Sequence, residues 1–144
     1  MNTNDRELRI KRIKEMIKQS KGVVNQNTCF IQLPNSFVRR GDLTITEKMV
    51  YICLWGYGID LRPSYPSHDK IAKNLNTSRS TIIRAIISLE DKGGLYVLNR
   101  ALEKNKAKTT NLYYLAEIDS ETGSFKSESL DLIKYLYPDK FVLI

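Results

Sequence analysis

The stretch "HDKIAKNLNTSRSTIIRAIISLEDKGGL", His68 to Leu95, decides the fold. Two segments with helical apolar periodicity flank a short polar break, Asn76-Thr77-Ser78. The pattern predicts a helix over residues 68–74, capped by Ser67. It predicts a second over residues 79–91, capped by Ser78 and ended by Gly93-Gly94. Two short helices joined by about three residues make a helix-turn-helix. Its physical demands are met residue by residue. Ala72 is small where the second helix must cross close by, and Asn76 tolerates the left-handed backbone a tight turn needs. Ile71, Leu75, Ile82, Ala85, Ile86 and Leu89 have the spacing to anchor both helices on a core.

In this motif the N-terminal end of the second helix enters the major groove of DNA. Free backbone donors and the helix dipole favour phosphate there. With Ile82 set at zero on a helical wheel and ~100° per residue, Ile86 and Leu89 fall within about 40° of it. Ser80 and Arg84 fall near the opposite side and are the expected base readers; an arginine can bond guanine O6 and N7 together. Thr77, Ser78, Arg79 and Thr81 are expected to position the DNA backbone, with Ser67, His68 and Lys73 of the first helix beside them. The plain reading of His68 is an ordinary first-turn residue, and its phosphate contact stands against that. Ile83 and Ile87 sit on the shoulder next to Ser80 and Arg84. Ile83 is placed to meet a thymine methyl, whereas Ile87 needs another cover.

After the glycines, residues 95–100 read as a strand and residues 110–118 as its return, which together make a β-hairpin. Its tip carries Lys104, Asn105, Lys106 and Lys108, with Arg100 at its base. Lysines on a loop tip alone read as a solvated loop. Following a recognition helix, a basic loop over residues 100–110 reads as a wing that tracks phosphates or the minor groove.

The flanks are simpler. Residues 5–19 read as a basic helix with the stripe Ile10, Ile13, Met16 and Ile17, stopped near Gly22. "CFIQL" (residues 29–33) is a strand candidate, and residues 34–40 a turn or short helix. Thr44 and Glu47 form a capping-box pattern that starts a helix over residues 45–55, apolar on most sides and expected at the centre of the core. Residues 121–125 read as a linker, and residues 129–137 as a last short helix stopped by Pro138. The expected division is a basic helix and linker (1–27), a domain over 28–118 and an acidic extension (119–144). The class is α+β, mainly helical. The N-terminal stripe lacks an evident partner in so small a domain, so it is the expected dimer element and the expected cover for Ile87.

Charge sharpens this reading once it is placed. The 144-residue chain carries a net +7, distributed as +4 over residues 1–21, +1 over 22–66, +5 over 67–110 and −3 over 111–144. Positive charge therefore gathers at the first helix and around the motif, which suits a polyanion. No apolar run approaches the ~18 residues that span a bilayer, and the N-terminus is polar rather than a secretory signal. The two cysteines, Cys29 and Cys53, lie in apolar segments and read as buried free thiols rather than a disulfide or ligand pair. These features point to the cytoplasm. Trp55 and the tyrosines at 51, 57, 113 and 114 read as core rather than stacking platforms. No P-loop, nucleophile elbow, metal-ligand spacing or paired-carboxylate pattern occurs. The expectation is a chain that is not an enzyme and needs no cofactor or metal.

"LTITEKMVYICLWGYG", "YPSHDKIAKNLNTSRSTIIRAIISLEDKGGL" and "TTNLYYL" resemble, in order and spacing, a winged helix-turn-helix family. Its domains are frequent in replication-initiation proteins of plasmids and phages of low-GC bacteria and in related regulators. The pattern "YPS…IA..L..SRST…RAI..LE..G" over Tyr65 to Gly93 is the most specific part. The return strand matches at Asn111, Tyr113 and Leu115, and "FIQLPNSFV" resembles the segment preceding such domains. The resemblance implies double-stranded DNA binding through residues 78–84 and the wing. It does not fix the process; the expectation taken is a role in replication initiation or maintenance, with a second copy and replication proteins as the expected partners and no membrane. The same domain type also serves partition, conjugation and transcription control. A winged-helix repressor and a protein-interaction module are therefore the competing readings.

Overall fold

The computed structural model describes residues 2–19, 31–58 and 63–144. Helix α1 (Thr3–Gln19) and the short α2 (Asn35–Val38) precede three helices that form the centre: α3 (Ile45–Tyr57), α4 (His68–Leu75) and α5 (Arg79–Asp91). Strands β1 (Leu95–Ala101) and β2 (Leu112–Leu115) make the hairpin. A small hairpin of β3 (Glu117–Ile118) and β4 (Phe125–Lys126) leads into a 3-10 turn (Ser127–Leu130). Helix α6 (Asp131–Leu136) and strand β5 (Phe141–Leu143) follow. The fold is mixed α+β and mainly helical, as a winged helix-turn-helix requires.

The ends of the motif helices form by local chemistry. The Ser67 Oγ accepts from the Lys70 N–H at 3.0 Å and starts α4. Asn76 ends it with φ 54° and ψ 52°, the left-handed conformation the turn requires. At the end of α5, Gly93 sits at φ +81°. Its N–H bonds the Glu90 carbonyl and that of Gly94 bonds the Leu89 carbonyl, which closes the last turn and redirects the chain into β1.

The β1–β2 hairpin is apolar on both faces, and its register assigns each face a different cover. Leu95 pairs with Leu115 and Val97 with Tyr113, and these four belong to the core with α3, α4 and α5. Tyr96 pairs with Tyr114 and Leu98 with Leu112, and these four pack with Ile13 and Ile17 of α1 and with Leu130 and Ile133. Period-two alternation makes the division. The stripe of α1 thus has its partner inside the chain. Ile13 is only 1% exposed, whereas Ile87 is 61% exposed and is not covered by α1. That corrects the expected placement: the far face of the hairpin offers a larger apolar surface than one shoulder residue does. On α3, Ile45 and Met49 are exposed, and the buried face is Glu47, Val50, Tyr51 and Leu54.

Several elements differ from the sequence reading. The return strand is Leu112–Leu115, shorter than residues 110–118, because the chain leaves the ladder at Ala116 and folds back as β3 against β4. Residues 121–125 are therefore mostly the turn of that second hairpin. The C-terminal "KFVLI" supplies β5, which pairs in parallel with β1, Asn99 opposite Phe141 and Ala101 opposite Leu143. Ile31, Gln32 and Leu33 lie in no strand, and the remainder of that candidate strand, Cys29 and Phe30, falls outside the described residues. Cys53 is a partly buried free thiol, and Cys29 is likewise outside them.

One buried charge ties the central helices together. Glu47 completes the capping box of α3, and its carboxylate also accepts from Ser88 in the C-terminal half of α5 at 2.7 Å and pairs with Lys92, just past the end of α5, at 2.9 Å. Burial alone would raise this carboxyl. The Thr44 backbone N–H, Lys92 and Ser88 outweigh it and hold the group at about 2 against an ordinary 4.5. The folded value lies below the unfolded one, so the stabilisation is full above about pH 5 and fades as pH falls towards 2. Its size is about 3 kcal/mol from the two values. Glu47→Gln should therefore lower stability by about 2–3 kcal/mol at pH 7. The gap to the parent should close as thermal midpoints are taken from pH 5 to pH 2; a gap constant with pH would contradict the ion pair. Ile13→Ala should cost about 2–5 kcal/mol in urea unfolding, as a fully buried core truncation does, rather than the near-zero change of an appended helix.

Candidate nucleic-acid interface

The N-terminal end of α5 presents a cluster of hydroxyls. Ser78 caps the helix, accepting from the Thr81 N–H at 3.2 Å. Its Oγ lies 2.7 Å from Thr81 Oγ1 and 3.2 Å from Ser80 Oγ. Ser78 and Thr81 are thus partly committed to building the helix end. Arg84 reaches back with Nη2 at 3.5 Å from Thr81 Oγ1, the long limit of a hydrogen bond. Ser80 and Arg84 are exposed, while Ile82, Ile86 and Leu89 are buried on the opposite side. The exposure pattern matches the wheel. Ile83 is half-buried at the shoulder.

A groove of about 460 Å³ runs between the start of α4, the start of α5 and the return leg of the hairpin. It is lined by Ser67, His68, Arg79 and Lys108, four residues expected from sequence, together with Thr109, Thr110 and Asn111. The fold thus joins three segments, residues 66–68, 79 and 108–113, up to 47 positions apart in sequence. Arg79 stands 3.7 Å from the exposed carboxylate of Asp69. The His68 ring lies against Tyr113, centroids 6.5 Å apart. Burial, then the nearby charges of Arg79 and Lys108, push the imidazole below its usual value; Asp69 acts in the opposite direction.

The other expected residues are placed apart from this groove. Lys73 and Thr77 are exposed on α4 and in the turn. Lys104, Asn105 and Lys106 are exposed at the hairpin tip. There the Asn105 side chain accepts from the Ala107 N–H at 3.0 Å, and Lys106 adopts φ 59°. Arg100 is different. It is 3% exposed, bonds the Thr110 carbonyl and hydroxyl at 2.5 and 2.8 Å, and stacks on Tyr65 at 5.1 Å. Alternation from Tyr96 and Leu98 turns it to the buried face of the sheet, so it braces the base of the hairpin instead of facing solvent.

Sequence reasoning missed Thr109, Asn111 and Asp69 as neighbours of the site. Thr109 carries no charge and no pattern, Asn111 entered only as part of the return-strand match, and only the return of the hairpin brings them to α4. Among the described residues no group of three or more metal-ligating side chains occurs, and no helix is long and apolar enough to cross a membrane.

Residues 41–95 match a protein-family model described as a helix-turn-helix domain. The match begins just before α3 and ends at the first residue of β1, so it covers the three central helices and leaves α1, the hairpin and the C-terminal elements outside. No curated protein and no solved structure matches the chain. Over residues 41–95 the chain is therefore similar to a helix-turn-helix domain.

The different placements of Arg100 and Lys108 separate two roles. Arg100→Met should lower unfolding stability by about 1–3 kcal/mol, because the Thr110 carbonyl loses a charged donor. Lys108→Gln should leave stability within about 0.5 kcal/mol and weaken duplex binding. Chemical denaturation paired with an anisotropy titration checks both.

Proposed function

We propose that this chain is a sequence-specific double-stranded DNA-binding protein that acts in plasmid or phage replication initiation or maintenance. Helix α5 enters the major groove with Ser80 and Arg84 as base readers, and the hairpin tip with Lys104 and Lys106 follows the phosphates. The observation that carries the DNA-binding part is the groove that brings His68, Arg79 and Lys108 beside the exposed hydroxyl cluster at the start of α5. Two cations, an imidazole and a helix N-terminus converge there, as a backbone phosphate needs. The family match over residues 41–95 supports the same reading. The replication role rests on the resemblance of Tyr65 to Gly93 to initiator domains. In this reading the chain works by binding and recruits replication proteins instead of catalysing a step, and two copies read a two-fold site. A winged-helix repressor shares every DNA contact and differs only in where its sites lie, at a promoter instead of an origin. Sequencing the genomic fragments that the purified chain retains separates the two.

The binding itself is open to a direct test. Affinity for duplex should fall steeply with salt; about six phosphate contacts give a slope near −5 in log K against log salt, and a slope near zero would refute the reading. Arg84→Ala should cost about 1–3 kcal/mol on the selected site and relax preference at one base pair. Lys104→Ala and Lys106→Ala should weaken all duplexes evenly.

A further inference from the structure

We propose that the groove between α4, α5 and the hairpin seats one DNA backbone phosphate, and that His68 takes up a proton as that phosphate arrives, so that duplex affinity rises as pH falls. The inference rests on the duplex-binding reading and adds a regulation to it.

The geometry comes first. The groove is lined by the first residues of α4, by Arg79 at the first position of α5 and by Lys108 through Asn111 of the hairpin. Two helix N-termini therefore open on it, and each carries partial positive charge. The groups around the imidazole are Arg79 on α5, Asp69 on α4, and Lys108 and Tyr113 on the hairpin. Among the described residues no carboxylate lines the groove itself, and the side chain of Asp69 turns to solvent beside Arg79.

In the free protein this setting disfavours the imidazolium. Burial removes its water, and Arg79 and Lys108 repel it. A phosphate between these groups reverses the balance. It neutralises the repulsion of the two cations and offers the imidazolium an anionic acceptor for an N–H bond. The pKa of His68 is then lower in the free protein than in the complex. Protons are taken up on binding only between those two values, and there affinity rises as pH falls, by at most tenfold per pH unit for one proton. Below the lower value and above the higher one the dependence levels off.

The sequence makes the effect legible. His68 is the only histidine in the chain, and carboxylates and thiols ordinarily titrate outside the range from about pH 5.5 to 7.5. A pH dependence in that window has one side-chain source.

The test uses the full chain and a random-sequence duplex at fixed salt. Anisotropy titrations from pH 5.5 to 8 should show the parent tightening at least threefold towards low pH, while His68→Gln stays flat. Calorimetry of the parent in two buffers of different ionisation enthalpy should show net proton uptake near pH 6.5, which needs no variant. By NMR, the His68 ring in free Arg79→Gln should titrate at higher pH than in the parent. Binding that is equally independent of pH in parent and variant, with no proton uptake, overturns the proton linkage and leaves the duplex reading standing. Failure to bind duplex at any pH or salt overturns both.

Discussion

A two-stranded hairpin with apolar side chains on both faces cannot stand in water, and the rest of this structure follows from how it is covered. The helix-turn-helix core takes one face through Leu95, Val97, Tyr113 and Leu115. Helices α1 and α6 take the other through Tyr96, Leu98, Leu112 and Tyr114. Strand alternation sets this division without exception along the paired residues. A shift of one residue in register would exchange the two faces and pair each cover with the wrong side chains. The hairpin is thus held in register from both sides, and its basic tip is carried on a rigid base.

That base matters for the proposed contact with DNA. Lys108 meets His68 and Arg79 only because β2 returns beside the start of α4, where Ser64 pairs with Tyr113 through two backbone hydrogen bonds of 3.0 and 2.7 Å. Arg100 fixes the same corner from within, joining β1 to Thr110 and Tyr65. At the opposite end of α5, Glu47, Ser88 and Lys92 lock the helix to α3. Helix α5 is therefore fixed near its C-terminal end by a buried ion pair and leaves its N-terminal hydroxyls and Arg84 in solvent. A fixed helix loses little freedom when it meets a groove, so more of each contact is retained as affinity.

The second hairpin and β5 extend this scaffold. Tyr51 of α3 reaches the Ala116 carbonyl at 2.5 Å where the chain leaves β2. Lys140 pairs with Glu90 of α5, whose other oxygen accepts from the Val97 N–H. The C-terminal residues Lys140 to Leu143 are thus bonded to α5 and to β1.

The sequence by itself determined whatever is decided within a turn or two of chain. Ser67, Thr44 and Ser78 cap the helices expected of them, and Asn76 takes the left-handed turn. Helix α5 has the bounds read from its periodicity, with Ser80 and Arg84 on its exposed side. These features rest on local hydrogen bonds and on a period that neighbouring residues carry. Tertiary structure alone decided what long-range packing settles. It gave α1 to the far face of the hairpin and left Ile87 bare, because a stripe of isoleucines carries no record of which apolar surface it will meet. It buried Arg100 and exposed Lys108, because which face of a strand is covered depends on elements far away in the chain. It drew "KFVLI" alongside β1, because a three-residue strand has too little pattern to announce a parallel partner some 40 residues earlier. And it set His68 between two cations, which no spacing in the sequence records, because electrostatic environment is a property of distances in space.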